Sequence, residues 1–203
     1  MADWDALAAI YDRQLSLERR AVVAALDLAQ AGPGDVLLDA GTGTGAVLRA
    51  LAARPVRPRT AIGVDVSARM LGRVPPLPAG WRVQRADLRE LPAQDASFNV
   101  AIASYVLHVL EPGVRRAVLA ELRRVLRPGA RLITVTVHVP ERPRLRPLAA
   151  ALETLARIAP QRLAGLRPLD PRPDLIDAGF SLTGARTTAL GYPSLCVAAR
   201  TPG

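Results

Sequence analysis

Val36-Leu37-Leu38-Asp39-Ala40-Gly41-Thr42-Gly43-Thr44-Gly45 decides the fold of this chain. Three apolar residues lead into a glycine-rich turn, and Ala46-Val47-Leu48 resume an apolar pattern beyond it. Such a passage reads as a buried strand, a tight turn and the opening of a helix. A glycine loop that opens a helix gathers backbone N–H groups and a positive dipole end, which suits an anion. A carboxylate placed just ahead of the loop suits a cation instead. Asp39 is therefore the most informative residue of the stretch.

Outward from this point, apolar β-rich runs alternate with helical segments, the pattern of a parallel sheet covered on both faces. Strands are expected at 36–39, 60–65, 81–86, 98–104 and 130–138, and helices at 14–31, 45–53, 67–73 and 113–126. Gly32-Pro33-Gly34 closes the first helix, and Arg127-Pro128-Gly129 stops the fourth. The helix at 67–73 is clipped, because Pro75, Pro76 and Pro78 follow Asp65 within about ten residues. A short helix at 171–178 precedes two β-like runs, 180–190 and 194–200, joined near Gly191-Tyr192-Pro193 as a hairpin. The expected fold class is α/β: a Rossmann-like, doubly wound, mostly parallel seven-stranded sheet with a C-terminal antiparallel hairpin and an N-terminal helix. We expect a single domain over 1–203, with 1–35 as a helical cap. Residues 140–173 form a lid or cover in this reading, since Leu148, Leu152, Leu155 and Ile158 follow helical spacing after Pro147.

Composition narrows the chemistry. At 203 residues and 50% hydrophobic, the chain fills one core rather than two. Cys196 is the only cysteine, so neither an internal disulfide nor a cysteine zinc site is expected. No apolar stretch is long enough to span a bilayer, Asp3 and Asp5 oppose a secretory signal, and a cytoplasmic location is expected. The chain has no lysine, and all 27 basic residues are arginine. That excludes the P-loop lysine, the pyridoxal phosphate Schiff base and the Tyr-x-x-x-Lys reductases. The net charge of +9 is spread along the chain and speaks first of non-specific attraction. Arg142, Arg144, Arg146, Arg157 and Arg162 around the leucine stripe also fit a helix lying on anionic lipid, although a cover over the sheet explains the same stripe.

Two ligands satisfy the loop by itself. Gly41-x-Gly43-x-x-Ala46 matches the dinucleotide fingerprint, with Asp65 about twenty residues on to hold a ribose. Three features favour S-adenosylmethionine, a nucleoside carrying a sulfonium and an amino group. Asp39 would meet a pyrophosphate with like charge, a third acid stands at Asp87 after the third strand, and the chain closes with a hairpin after five strands. From about Tyr11 onward the residues resemble the class I S-adenosylmethionine-dependent methyltransferases. The resemblance is greatest to the subgroup acting on small molecules, quinones and phospholipid head groups. Asp95-Ala96-Ser97-Phe98-Asn99-Val100 leading into Ser104-Tyr105-Val106-Leu107-His108-Val109-Leu110-Glu111-Pro112 carries it, as does Val125-Leu126-Arg127-Pro128-Gly129-Ala130-Arg131-Leu132.

That resemblance implies a donor site. Asp39, Ala40 and the Gly41-Thr42-Gly43 backbone would lie beside the methionyl part of S-adenosylmethionine. Asp65 would accept both ribose hydroxyls, Val66 and Met70 would pack the adenine, and Asp87 with Leu88 would meet its exocyclic amine. Ser104 and Tyr105 would line the methionine side, with Tyr11 closing over it. Independently of the family, one carboxylate holds two vicinal hydroxyls well, and ligands of open α/β sheets bind outside the carboxyl ends of the strands.

Methyl transfer from a sulfonium is an in-line displacement that depends on alignment and a dry pocket, and a base is needed only where the acceptor must lose a proton. His108 matches the family's histidine after the fourth strand and is the candidate base or acceptor holder, against a purely structural role. His138 is expected near the same mouth, and Cys196 in the core. A small-molecule acceptor is expected, its methylated atom and the oligomeric state being open. Nucleic-acid methylation is the alternative: the Asn-Pro-Pro-Tyr motif of base amino methylation is replaced by Ala103-Ser104-Tyr105-Val106, and no Pro-Cys nucleophile exists. A dinucleotide-dependent oxidoreductase and a protein that holds the donor without turnover are the other readings.

Overall fold

The computed structural model describes residues 4–138, 168–188 and 193–203, with side chains from residue 17 onward. Its elements are α1 (Trp4–Ala29), β1 (Val36–Ala40), α2 (Ala46–Ala52), β2 (Thr60–Asp65), α3 (Ala68–Leu71), β3 (Trp81–Arg85) and β4 (Phe98–Ser104). After a 3-10 turn at Leu107–Val109 come α4 (Pro112–Val125), β5 (Leu126–Val137), α5 (Arg172–Asp177), β6 (Ser181–Thr188) and β7 (Ser194–Arg200). The seven strands form one sheet in the order β3-β2-β1-β4-β5-β7-β6. The first five are parallel, and β7 lies antiparallel to both β5 and β6, as the α/β reading expects.

Period-two alternation divides the central strands between two apolar layers. Leu37, Ile102 and Ile133 face Ala21, Val22, Ala25 and Leu26 of α1 and Val47, Leu48 and Leu51 of α2. Leu38, Ala101 and Leu132 face Val118, Leu119, Leu122 and Val125 of α4 and Leu175 of α5. In α4, Pro112 begins the helix, where its missing N–H costs nothing, and the buried residues recur at helical spacing.

The expected boundaries hold with three differences. The helix α1 begins ten residues before position 14 and ends at Ala29, because Gln30 turns to φ 46° ahead of the glycines. The helix α3 is only four residues long, capped by the Ser67 hydroxyl accepting from the Met70 N–H, and the prolines follow directly. Arg127-Pro128-Gly129 does not stand between helix and strand: α4 ends at Val125, Leu126 already pairs with Phe98, and the three residues belong to β5. Backbone partners across the sheet decide that boundary. Ser97 N–H donates to Val125 O and Gly129 N–H to Pro202 O.

Leu148, Leu152, Leu155 and Ile158, the arginines from Arg142 to Arg162, and the turn at Gly191-Tyr192 fall outside the described residues. Where the chain re-enters, Leu169 N–H donates to Val137 O at 2.9 Å and Thr136 Oγ1 donates to Leu169 O at 2.8 Å, tying this strand end to the approach to α5. Among the described residues no helix is long and apolar enough to cross a membrane.

Candidate active site

The strand order reverses at β1: the chain steps out to β2 and β3, then returns to the opposite side of β1 as β4. A crevice forms outside the carboxyl ends of neighbouring strands at such a point. Asp39 and Ala40 end β1, Asp65 ends β2, and Ser104 ends β4, so the fold delivers them to one edge of the sheet.

The loop after β1 turns through Gly41 and Gly43, at φ 76° and 52°. Only glycine suits Gly41, since a Cβ there would stand 2.9 Å from Val106 Cγ2 in addition to the left-handed backbone. Three N–H groups at the start of the loop already have acceptors within the protein. Those of Gly41 and Thr42 donate to Val64 O at 2.8 and 2.9 Å, and that of Gly43 donates to Asp65 Oδ2 at 2.9 Å. A pyrophosphate cradle requires these donors to point at the ligand, so the geometry does not favour the dinucleotide reading.

Asp39 is completely buried. Thr42 Oγ1 donates to its Oδ2 at 2.6 Å, while Oδ1 has no hydrogen-bond partner among the described residues. Burial raises its pKa to about 7, the Thr42 hydrogen bond opposes that rise, and the nearby Asp65 adds to it. A buried carboxylate with an orphaned oxygen is completed by a cation or a donor. Ser104 Oγ, on the adjoining strand end, is likewise buried without a partner.

Asp65 accepts the Gly43 N–H on Oδ2 and the Ser67 N–H on Oδ1, both at 2.9 Å, and so braces the glycine loop against the start of α3. Val66 beside it is 49% exposed, whereas Met70 is buried. Asp87 follows β3 and is gripped by Arg89: Nε reaches both carboxylate oxygens at 3.0 Å and Nη2 reaches Oδ2 at 2.6 Å. These hydrogen bonds hold the Asp87 carboxyl below its ordinary pKa. Leu88 is half-buried against the α4 layer.

Tyr105 adopts φ 56° and is buried, its hydroxyl 2.7 Å from Ser194 Oγ on β7 and its ring edge-on to His108 with centroids 5.9 Å apart. His108 is buried too, with Nδ1 lacking a partner among the described residues. Burial lowers its pKa to about 4, so the ring is neutral near pH 7. Tyr11 lies on α1, its side chain outside the description. Cys196 is buried and its Sγ donates to Ala21 O at 3.5 Å.

Asp39, Thr42, Asp65 and Ser104 thus converge, with Gly43 linking the second acid to the loop, while Asp87 stays paired with Arg89. Sequence reading missed Arg89, whose Asp-x-Arg spacing was a legible signal, and Ser194, whose approach to Tyr105 carried none. It also passed over Glu18, the one acid among the described side chains on the apolar face of α1 that continues through Ala21, Val22, Ala25, Leu26 and Ala29.

The residues present fit S-adenosylmethionine. The orphaned Asp39 oxygen matches its cationic part, and Asp65 stands at the end of the neighbouring strand, one strand spacing away, where a ribose would follow. Comparisons with known proteins agree. A family model described as a methyltransferase domain matches residues 37–129. The chain is 36% identical over 174 residues to the ubiquinone/menaquinone biosynthesis C-methyltransferase UbiE of Syntrophotalea carbinolica, covering 80% of this chain and 70% of that one. It is 35% identical to the 2-phytyl-1,4-naphtoquinone methyltransferase of Synechococcus elongatus, over 70% of this chain and 65% of the relative. It spans 32% of a 37.1 kDa protein of transposon Tn4556 in Streptomyces fradiae, at 41% identity. Among solved structures, a chain from the complex of the Haloferax volcanii Trm112 methyltransferase activator with a methyltransferase superposes with TM-score 0.77 at 18% identity, covering 100% of this chain and 99% of that one. With the sheet order, the loop and the acid set in place, the chain belongs to the class I S-adenosylmethionine-dependent methyltransferases.

Proposed function

We propose that this protein transfers the methyl group of S-adenosylmethionine to a small-molecule acceptor of quinone-like, aromatic type. The observation that carries the donor assignment is the fully buried Asp39 carboxylate with one oxygen bonded to Thr42 and the other unpartnered among the described residues. In this reading Asp39 and Ser104 take the methionyl part. Asp65 keeps its two N–H bonds and accepts the ribose hydroxyls as well, since a carboxylate offers about four acceptor positions. Val66 supplies an exposed apolar wall for the adenine, with Met70 behind it, and Asp87 with Leu88 lies at the exocyclic amine, where Arg89 would share the carboxylate. Tyr11 closes over the methionyl side. The bound donor supplies an electrophilic methyl group. The protein's part is to align it and to keep water away.

The acceptor class rests on two relatives, one a C-methyltransferase of ubiquinone/menaquinone biosynthesis and the other a 2-phytyl-1,4-naphtoquinone methyltransferase. His108, neutral and buried behind Tyr105, offers a hydrogen-bonding wall to the acceptor side. A calorimetric titration with S-adenosylhomocysteine beside NADH, repeated on Asp65→Ala, tests the donor assignment. Micromolar binding of the first alone, lost in the variant, is the expected result, and NADH binding would sink the reading. Formation of S-adenosylhomocysteine with candidate phenols then separates an enzyme from a protein that only holds the donor.

A further inference from the structure

α1 and β5 run antiparallel and in step. Arg131 on β5 donates to Ala29 O at 2.8 Å, while Cys196, paired with Val135, donates to Ala21 O. Eight helix residues cover about 12 Å and four strand residues about 13 Å, so the two tracks stay level. Three residues further along α1, about 4.5 Å, is Glu18, which therefore lies level with Val137 and Ser194 at the carboxyl ends of the strands. Its Cβ leans toward the helix N-terminus, that is, further toward the mouth of the crevice.

Glu18 is 5% exposed, on the buried face of the helix, and no hydrogen bond or ion pair to it is found among the described residues. The titratable and charged groups on the elements packed against α1 are Arg49 on α2, Arg69 on α3, Tyr105 and His108 after β4, Arg127 and Arg131 on β5 with His138 after it, Arg186 on β6, and Cys196 and Arg200 on β7. None neutralises it. Its oxygens are not among the fully buried unpartnered atoms, so the carboxylate keeps an opening at the rim. A carboxylate largely removed from water without a partner is costly, and at the rim of a ligand crevice that cost points to a partner that arrives with the ligand.

We propose that Glu18 faces the acceptor and takes the proton of an acceptor hydroxyl during methyl transfer. This rests on the methyltransferase reading above and names the residue and the acceptor group within it. The O–H bond breaks, its proton forms the Glu18 carboxylic acid, and its electron pair attacks the methyl carbon as the carbon–sulfur bond breaks, leaving that pair on sulfur. Where a ring carbon ortho to the hydroxyl attacks instead, the dienone formed returns to the phenol by moving the ring proton to oxygen. Charge balances, since carboxylate and sulfonium are both neutralised. Burial raises the Glu18 pKa to about 7, which suits a base at neutral pH better than His108, held at about 4.

The test compares wild type, E18Q and E18D. Each protein, saturated with S-adenosylhomocysteine, is titrated with 4-nitrophenol and 1,4-dihydroxynaphthalene without oxygen, and the same phenols are then offered with S-adenosylmethionine. Expected are S-adenosylhomocysteine affinities within about twofold, phenol affinity lowered roughly tenfold in E18Q, and kcat lowered on the order of 100-fold with KM far less changed. With 1,4-dihydroxynaphthalene, whose hydroxyls stay protonated near pH 7, the rise of rate through about pH 7 should vanish in E18Q and partly return in E18D. 4-Nitrophenol, which ionises near neutrality by itself, should depend far less on Glu18. Phenol binding and turnover indifferent to E18Q overturn the inference, as does a protein that holds S-adenosylhomocysteine but neither binds nor methylates a phenol. Failure of all three to hold S-adenosylhomocysteine is a different outcome, which removes the methyltransferase reading and this inference with it.

Discussion

Thr42 Oγ1 donates to Asp39 Oδ2 at 2.6 Å, and the other oxygen of the same buried carboxylate has no hydrogen-bond partner among the described residues. The hydroxyl thereby turns one face of the acid toward the loop and leaves the other open. With a raised folded-state pKa, Asp39 adds stability that is fully present below the ordinary carboxylate range and lost as pH rises through about 7. Asp39→Asn should therefore stabilise the ligand-free protein at pH 8, by on the order of 4 kcal/mol at most, as read from denaturant titrations at pH 5 and pH 8. The same variant should bind S-adenosylmethionine at least roughly tenfold more weakly at pH 8 and lose the tightening of affinity between pH 6 and pH 8.

Asp65 holds the N–H groups of Gly43 and Ser67 at once, so Asp65→Ala removes more than a ligand contact. We expect a loss of about 1–3 kcal/mol in stability from the two orphaned donors. Affinity for S-adenosylhomocysteine should fall roughly 30- to 150-fold if two hydroxyl bonds to a carboxylate are lost. Asp65→Asn, which keeps one acceptor oxygen, should lie between. Calorimetry and thermal melts on the same samples separate the two effects.

Gly41→Ala meets two obstacles, φ 76° and Val106 Cγ2 at 2.9 Å. A destabilisation of about 1–3 kcal/mol is expected. Val106→Ala in the same chain should return only the steric part, and a double-mutant cycle by chemical denaturation reads the coupling. Full rescue would mean that backbone strain contributes nothing here.

Arg89 and Asp87 form an exposed pair, with side chains 52% and 42% accessible. Surface pairs of this kind contribute about 0–1 kcal/mol, so Arg89→Ala should leave the unfolding midpoint nearly unchanged. In the proposed site its effect belongs to the ligand: if Asp87 meets the adenine amine, removing the guanidinium leaves the carboxylate to it alone, and S-adenosylhomocysteine affinity should rise modestly. Asp87→Ala should lower it in either background. Equal affinities in all four proteins would show that this acid has no part in binding.

Much of the fold was legible because local chemistry and global architecture agree. Val36-Leu37-Leu38 must be buried on both faces, Gly41 must take a left-handed turn, and Pro112 must start a helix, so each local choice points to the same α/β sheet. The acids Asp39, Asp65 and Asp87 could be placed at strand ends because strands of a parallel sheet all deliver their carboxyl ends to one edge. The boundary at Val125 and Leu126 could not, since it is set by partners in β4 and near the C-terminus rather than by Arg127-Pro128-Gly129.

Sequence by itself therefore determined the sheet, the glycine turn after β1 and the position of the acids near strand ends, all governed by periodicity and by turn chemistry within a few residues. Tertiary structure alone decided which atoms of those residues are engaged. It paired Asp87 with Arg89, closed the Gly41 and Thr42 N–H groups onto Val64, and brought Tyr105 within 2.7 Å of Ser194, 89 positions away. It also placed Glu18 at the level of the strand ends. The physical reason is that desolvation and hydrogen-bond completion depend on what packs across the sheet, and no spacing along the chain encodes that.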